Sequence, residues 1–238
     1  MKNLLKILAF VLVFAMTAVM FVGCGGNGDN GDNGDSTPPA SVEGDGGTSE
    51  QPEPPTQEID IDISEASLKN IVGDGALYVT AIGLGSAVTV DALLEEIGWT
   101  VGTEPAANKY VTNNELRAAD VKAGDTVIVI LGTSGKGLGD AGVSVADEIA
   151  RAEELVAKQG INIIAIHTGK KPYRGESSDP IISVVAPKAA VVLVIDDGKG
   201  AGGNYDGLFT TLCGENVPLY VFSKAGKMVA SMEYLLNA

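Results

Sequence analysis

His167 is the only histidine of the chain, and it directly follows the apolar run 161–166. Because an imidazole titrates near neutral pH, His167 could act as a general base or bind an anionic ligand. Ser86 and Ser134 follow two other apolar runs and are the candidate nucleophiles for such a base. No Gly-x-Ser-x-Gly nucleophile elbow accompanies them, so hydrolysis is one hypothesis and a structural, hydrogen-bonded His167 is the alternative.

Glycine and basic residues are concentrated in the segments that follow the apolar runs. Of the 14 Lys and Arg residues beyond residue 58, six lie in these segments: Lys136, Lys170, Lys171, Arg174, Lys199 and Lys224. Glycine allows close approach of backbone to ligand, and the loops after parallel strands are where ligands bind. We therefore expect a site for a small polar or anionic ligand, formed by Gly83, Ser86, Thr133, Ser134, Lys136, His167, Lys170, Arg174, Asp196 and Tyr205. The alternative is that exposed loops simply collect lysine, since acidic residues share them.

Two nucleotide-binding motifs are matched only in part. Gly135-Lys136 is followed by Gly137, where a P-loop requires Ser or Thr. Residues 137–142 fit G-x-G-x-x-G, but the next apolar run ends at His167 and not at the acidic residue that would bind a ribose. We therefore expect no nucleotide cofactor.

Flavin and metal sites are also disfavoured. FMN needs flanking aromatic rings, and only Trp99, Tyr173 and Tyr205 could supply them. One histidine and one isolated cysteine do not make a zinc site, and we interpret Asp196 and Asp197 as a helix cap and not as Ca²⁺ or Mg²⁺ ligands. The sequence thus predicts neither a cofactor nor a metal.

The elements that would position these residues alternate between strand and helix. Short runs rich in Val and Ile at 76–82, 126–131, 161–166, 190–195 and 217–222 are typical of strands buried on both faces. Helical spacing follows at 88–97, with Val88, Leu93, Leu94 and Ile97 on one side. It recurs at 145–158, preceded by a capping box of Ser144 and Asp147.

The spacing of these runs is too long for hairpins and suits strand–helix–strand crossovers. We therefore predict an α/β fold, a flavodoxin-like or Rossmann-like three-layer sandwich around a mostly parallel sheet of five or six strands. The sixth is a weak strand near 99–101, and the predicted strand order is 2-1-3-4-5.

The first 23 residues have the features of a signal peptide. Lys2 and Lys6 precede an uncharged apolar stretch that runs to Val22. The residues that close it, 21–24, resemble the lipobox of bacterial lipoproteins, which implies cleavage before Cys24 and acylation of its thiol. We therefore predict a lipid anchor on the extracytoplasmic face of the cell membrane. A retained transmembrane helix over 7–26 is the alternative.

Beyond the lipidated Cys24, residues 25–58 contain eight acidic and no basic residues, with many Gly, Asn and Pro, so we interpret 24–58 as a disordered spacer. Residues 59–238 are predicted to form a single domain. It carries 23 acidic against 14 basic residues, which argues against a nucleic acid partner. Cys213 lies among apolar residues and is expected to be a buried hydrophobe.

Three stretches, 132–145, 172–180 and 206–209, resemble an uncharacterised family of bacterial α/β lipoprotein domains, over about residues 75–236. The resemblance implies a fold and a location but no catalytic residues. We therefore expect a tethered binding lipoprotein that captures a small polar or anionic solute for a membrane transporter, a role favoured over an enzymatic one. The alternatives are an extracytoplasmic hydrolase that uses His167 and an envelope protein-interaction module.

Overall fold

The computed structural model describes residues 63, 68–83, 87–133, 135–168, 175–196 and 207–237, except for the side chains of residues 135 and 136. Seven strands form one sheet: β1 (Leu77–Ile82), β2 (Thr100–Val101), β3 (Lys109–Thr112), β4 (Thr126–Leu131), β5 (Asn162–His167), β6 (Val191–Ile195) and β7 (Leu219–Phe222). Their order across the sheet is β2-β3-β1-β4-β5-β6-β7, and every neighbouring pair is parallel.

In the described part of the chain, six helices connect or follow these strands: α1 (Val88–Glu96), α2 (Gly135–Ala141), α3 (Val145–Val156), α4 (Asp179–Val185), α5 (Leu208–Cys213) and α6 (Ala225–Leu236). A 3₁₀ turn, Ala186–Lys188, extends α4. The predicted capping box of α3 is present, because Ser144 and Asp147 each bond the other's backbone N–H.

The sheet lies between two helical layers, as predicted for an α/β sandwich. Helices α1 and α6 contribute to an apolar cluster on one face of the sheet, and α3, α4 and α5 contribute to a second cluster on the other. All six residues of β4 are buried, because both of its faces are covered. This double burial explains why the strands appear in the sequence as continuous apolar runs.

The sheet has seven strands, so the predicted count of five or six is wrong. The strand missing from the prediction is β3, which pairs with β1. Only Tyr110 of its four residues is buried, so β3 lacks the apolar run typical of the central strands. The weak strand expected near 99–101 is β2, at the edge of the sheet.

One predicted core position of α1 is also wrong. Val88 is 72% exposed, whereas Val90, Leu93 and Leu94 are buried. Residues 90, 93, 94 and 97 follow the i, i+3, i+4, i+7 pattern of one helical face, and Val88 lies off that face.

The segment before β1 is bonded into the domain at the amino ends of the strands. The backbone N–H groups of Asn70 and Ile71 donate to carbonyl oxygens in the last turn of α6, those of Tyr234 (3.2 Å) and Leu235 (2.7 Å). Carbonyl groups in the last turn of a helix need donors from outside the helix, and the segment supplies two such donors to α6.

The same segment is also bonded to the sheet. The carbonyl oxygen of Ile71 accepts hydrogen bonds from Thr126 Oγ1 (3.2 Å) and Asn162 Nδ2 (2.9 Å). The buried carboxylate of Asp125 accepts from the Ala76 N–H at 3.0 Å. Residues 68–76 are therefore an integral part of the fold.

Candidate functional site

Four of the predicted ligand-binding residues lie together at one edge of the sheet. Gly83 follows β1, Thr133 follows β4, His167 ends β5 and Asp196 follows β6. Because β1, β4, β5 and β6 are adjacent and parallel, these residues share the edge formed by the carboxyl ends of the strands, here called the carboxyl edge. Cys24, Ser86, Ser134, Lys170, Arg174 and Tyr205 lie outside the described residues, as does the side chain of Lys136.

The order in which the strands are added to the sheet reverses between β1 and β4. After β1 it continues to β2 and β3 on one side, and β4 begins the series that runs to β7 on the other. Such a switch point opens a crevice at the carboxyl edge, which is where ligands bind in open α/β sheets. Gly83 and Thr133 flank this crevice.

Gly83 and Thr133 are in close contact. A Cβ atom on residue 83 would lie 2.5 Å from Thr133 Oγ1, and the φ angle of Gly83 is +92°. Both the contact and the left-handed backbone require glycine at this position. The sequence prediction placed Gly83 at the site for its backbone freedom, and the structure gives it this steric role as well.

A buried ion pair on α3 contacts the end of β1, beside the switch point. Glu148 and Arg151, on α3, are 5% and 2% exposed. Arg151 Nη2 lies 2.7 Å from Glu148 Oε2, and Arg151 Nε lies 3.0 Å from Glu148 Oε1. The guanidinium thus binds both carboxylate oxygens, the geometry that makes the strongest ion pairs. The same Glu148 Oε2 accepts the Gly83 N–H at 2.6 Å.

Arg151 also binds the end of β1. Its Nη1 donates to Thr80 Oγ1 at 3.1 Å, and its Nη2 donates to the Ala81 carbonyl oxygen at 2.7 Å. Together, Glu148 and Arg151 fix the last residues of β1 and the start of the following loop. The sequence prediction did not include either residue. The available signal was the helical spacing of residues 148, 151, 152 and 155. This spacing places both charged residues on the same face of α3 as Ala152 and Leu155, and all four are buried.

The end of β4 is tied to the start of α4. The Thr133 N–H donates to Ser178 Oγ at 2.9 Å, and Thr133 Oγ1 donates to the Ser177 carbonyl oxygen at 3.0 Å. The Asp196 N–H donates to the Phe222 carbonyl oxygen at 2.8 Å. The N–H groups of Gly83, Thr133 and Asp196 are therefore used within the protein. An anion at this edge would be bound by other groups, foremost the cationic side chains that the sequence places there.

His167 is fully buried and packs its ring edge-on against Phe209, with 5.5 Å between the ring centroids. A general base must come within hydrogen-bond reach of its substrate. The position of His167 at the carboxyl edge agrees with the prediction, but its burial favours the structural interpretation over the catalytic one.

Cys213 is 3% exposed, and burial raises the pKa of its thiol to about 11. A protonated, buried thiol is a poor nucleophile, which agrees with the expected role as a small apolar residue. Among the described residues, no group of three His, Cys, Asp or Glu side chains is placed to hold a metal ion.

A cavity lined by described residues lies at the opposite edge of the sheet. It has a volume of about 750 Å³ and is lined by residues around the amino ends of β1 and β3, including Trp99 and Asn108. The sequence analysis did not predict this cavity, because its walls combine residues from before β1, from the β2–β3 region, from before β4 and from the end of α6.

Within the described ranges, no helix is both long and apolar enough to cross a membrane.

No curated protein and no solved structure matches the chain. The model of one family does match, over residues 78–236, and this confirms the resemblance to an uncharacterised domain family. Since the match covers most of the chain and nearly the whole sheet, the protein belongs to the family of the domain of unknown function DUF6305.

Proposed function

We propose that this protein is an extracytoplasmic lipoprotein, anchored by acyl chains on Cys24, whose α/β domain binds a small polar or anionic solute at the carboxyl edge. The observation that carries the ligand proposal is the convergence of Gly83, Thr133, His167 and Asp196 on adjacent strand ends beside a switch point. A membrane transporter is the partner that would receive such a solute.

The tether is supported by the order of features along the sequence. A basic start, an apolar stretch and the lipobox-like residues 21–24 precede an acidic, Gly- and Asn-rich spacer. Several acyl chains on one cysteine would give a stable anchor, whereas a single chain binds membranes only marginally.

The internal hydrogen bonds at the carboxyl edge narrow the proposed mode of recognition. Since the Gly83 and Thr133 N–H groups bond Glu148 and Ser178, the charge of the solute would be met by side chains. Lys136, Lys170 and Arg174 are the candidates, because they follow β4 and β5 closely in the sequence. The buried ion pair would hold the end of β1 rigid under the ligand, and the Thr133 contacts would do the same for the end of β4.

Thermal melting of the full-length chain tests the ligand proposal. The panel contains small carboxylates, phosphates and nucleosides. A ligand at 100 times its dissociation constant adds about 2.7 kcal/mol to the free energy of unfolding. We expect a rise in melting temperature with at least one compound, and loss of that rise in the Lys136→Ala/Arg174→Ala double variant.

The matched control is Lys158→Ala/Lys188→Ala, which removes two lysines remote from the carboxyl edge and should leave the rise intact. No rise with any compound would contradict the binding proposal and favour the envelope interaction module. The hydrolase alternative has less support, because the imidazole that it requires is fully buried.

A further inference from the structure

The cavity at the amino ends of the strands, here called the amino-edge cleft, is a candidate for a second binding site. Its walls are residues 70–76, 97–99, 105–108 and 236–237, with Lys122 at one side. Its volume of about 750 Å³ lies within the range of about 300–1,000 Å³ that is usual for small-molecule sites. Neither the sequence motifs nor the proposed function uses this cleft.

Carboxamides are the most frequent polar side chains in the cleft, and they come from three separate segments. Asn70 precedes β1, Asn108 precedes β3 and Asn237 follows α6. Within the described part of the chain, the side chains of Asn70 and Asn108 make no hydrogen bond. Each amide offers two N–H donors and an oxygen acceptor, so the pair can bind groups that both donate and accept.

The two charged side chains that line the cleft have opposite signs, so their net charge is zero. Asp74 and Lys122 line it, both are exposed, and neither takes part in a described ion pair. A phosphate or carboxylate ligand would call for an excess of cations, and a Ca²⁺ or Mg²⁺ ion would call for several carboxylate oxygens. One charge of each sign, next to three neutral amides, suits an uncharged ligand.

The inner wall of the cleft is apolar and held in place. Trp99 is 6% exposed, and its Nε1–H donates to Asn237 Oδ1 at 2.7 Å. Asn237 Nδ2 in turn donates to the Ile97 carbonyl oxygen at 3.2 Å, which fixes the orientation of the amide. One N–H and one lone pair of Asn237 remain for a ligand. Pro105, Ala106 and Ala107 also line the cleft and are exposed, whereas Val72 and Leu236 are buried beneath it.

A saccharide is an uncharged ligand that can exchange hydrogen bonds with amides and place C–H groups against apolar side chains. Its hydroxyl groups are donors and acceptors at once, and its ring presents aliphatic faces. We propose that the amino-edge cleft binds a neutral mono- or disaccharide. This inference does not depend on the proposed function, because the two sites lie at opposite edges of the sheet.

Isothermal titration calorimetry of the full-length chain tests the proposal, in a detergent without a sugar head group. The probes are glucose, galactose, N-acetylglucosamine, maltose and chitobiose. We expect at least one to bind with a dissociation constant below about 1 mM. Asn108→Gly should weaken that binding about tenfold, through the loss of its side-chain hydrogen bonds to the ligand. Asn70→Gly should weaken it similarly.

Glycine is the suitable replacement, because Asn70 and Asn108 both have φ angles of 53° and glycine adopts this backbone without strain. The two variants therefore remove the amide and preserve the loop, which unchanged melting temperatures would verify. Asn216→Gly, in the exposed loop after α5, is the matched control and should leave the affinity unchanged.

Three outcomes would overturn the proposal: no binding of any probe up to about 10 mM, binding that both variants leave unchanged, or Asn108-dependent binding of inorganic phosphate, acetate or lysine in place of the sugars. The Lys136→Ala/Arg174→Ala variant should bind the saccharide normally. Its behaviour separates failure of this proposal from failure of the carboxyl-edge site.

Discussion

At the scale of single residues, the most informative feature is that a pair of opposite charges is buried between α3 and β1. Glu148 and Arg151 are both buried and bond each other, the Gly83 N–H and two oxygen atoms of β1. Removing two ions from water is costly, and such a pair persists when every donor and acceptor finds a partner. Here the partners all belong to the strand that leads into the proposed ligand site.

Arg151→Met should lower the free energy of unfolding by about 3–5 kcal/mol, because it leaves the Glu148 carboxylate buried without its counter-ion. The double variant Glu148→Gln/Arg151→Met should recover part of this loss, since a glutamine oxygen still accepts the Gly83 N–H and no charge remains. Urea denaturation of the three proteins measures the difference. Equal stabilities of the single and double variants would show that the buried charge is not the cause.

Gly83→Ala should be more destabilising than Gly98→Ala, although the two glycines have nearly the same φ angles, +92° and +89°. At Gly98 nothing lies within 4 Å of an added Cβ, so alanine costs only the left-handed backbone, about 1–2 kcal/mol. At Gly83 the clash with Thr133 adds about 1–3 kcal/mol. Thermal unfolding of both variants isolates the steric term, and equal losses would refute the close contact.

The buried thiol of Cys213 predicts a loss of stability at alkaline pH. Its pKa is raised from 9.0 to about 11, so between these values the unfolded chain releases a proton that the native protein retains. The free energy of unfolding therefore falls as pH rises through this window, by up to about 1.4 kcal/mol per pH unit, and the contribution is complete below pH 9.

Urea unfolding of the wild type and Cys213→Ala at several pH values between 8 and 11 checks this. The comparison removes the contribution of the tyrosines, which both proteins share. The wild type should lose more stability than the variant, and parallel curves would contradict the assigned cause.

At the scale of elements, the sequence predicted best those strands that are buried on both faces. β4 agrees with the predicted run at both ends, and the other central strands agree to within two residues. β3 escaped prediction because it is half exposed and its burial depends on Tyr110 alone, whose hydroxyl donates to Asp91 on α1. This contact between β3 and α1 forms only in the folded domain, so no local sequence pattern indicates it.

The candidate site was predictable to the extent that it depends on strand ends. Gly83, Thr133, His167 and Asp196 follow apolar runs, and parallel pairing brings them to one edge. The burial of His167 and the ion pair of α3 were not predictable, because both depend on which helix covers which strand. The amino-edge cleft was beyond prediction for the same reason, since its walls meet only in the folded domain.

The segment before β1 provides a prediction about where the domain begins. Deleting residues 1–75 should lower the free energy of unfolding by about 3–6 kcal/mol relative to deleting residues 1–58. The longer deletion removes four hydrogen bonds of Asn70 and Ile71, at about 1 kcal/mol each, and the buried Val72. Denaturant unfolding of the two truncated chains measures this, and equal stabilities would mean that the fold starts at β1.

At the scale of the whole molecule, the two proposed ligand sites lie at opposite ends of the strands. The chain enters the sheet through residues 68–76, at the same edge as the amino-edge cleft. The solute proposed for the carboxyl edge would be captured outside the cytoplasm, so the tether is the claim on which the proposed function depends.

Intact-mass spectrometry of the full-length protein, extracted from the membranes of cells that express it, tests that claim most directly. The account predicts a chain that begins at Cys24 and carries the added mass of a diacylglyceryl group, with or without a further acyl chain. A protein that still begins at Met1, or one whose residue 24 carries no fatty acid, would contradict it.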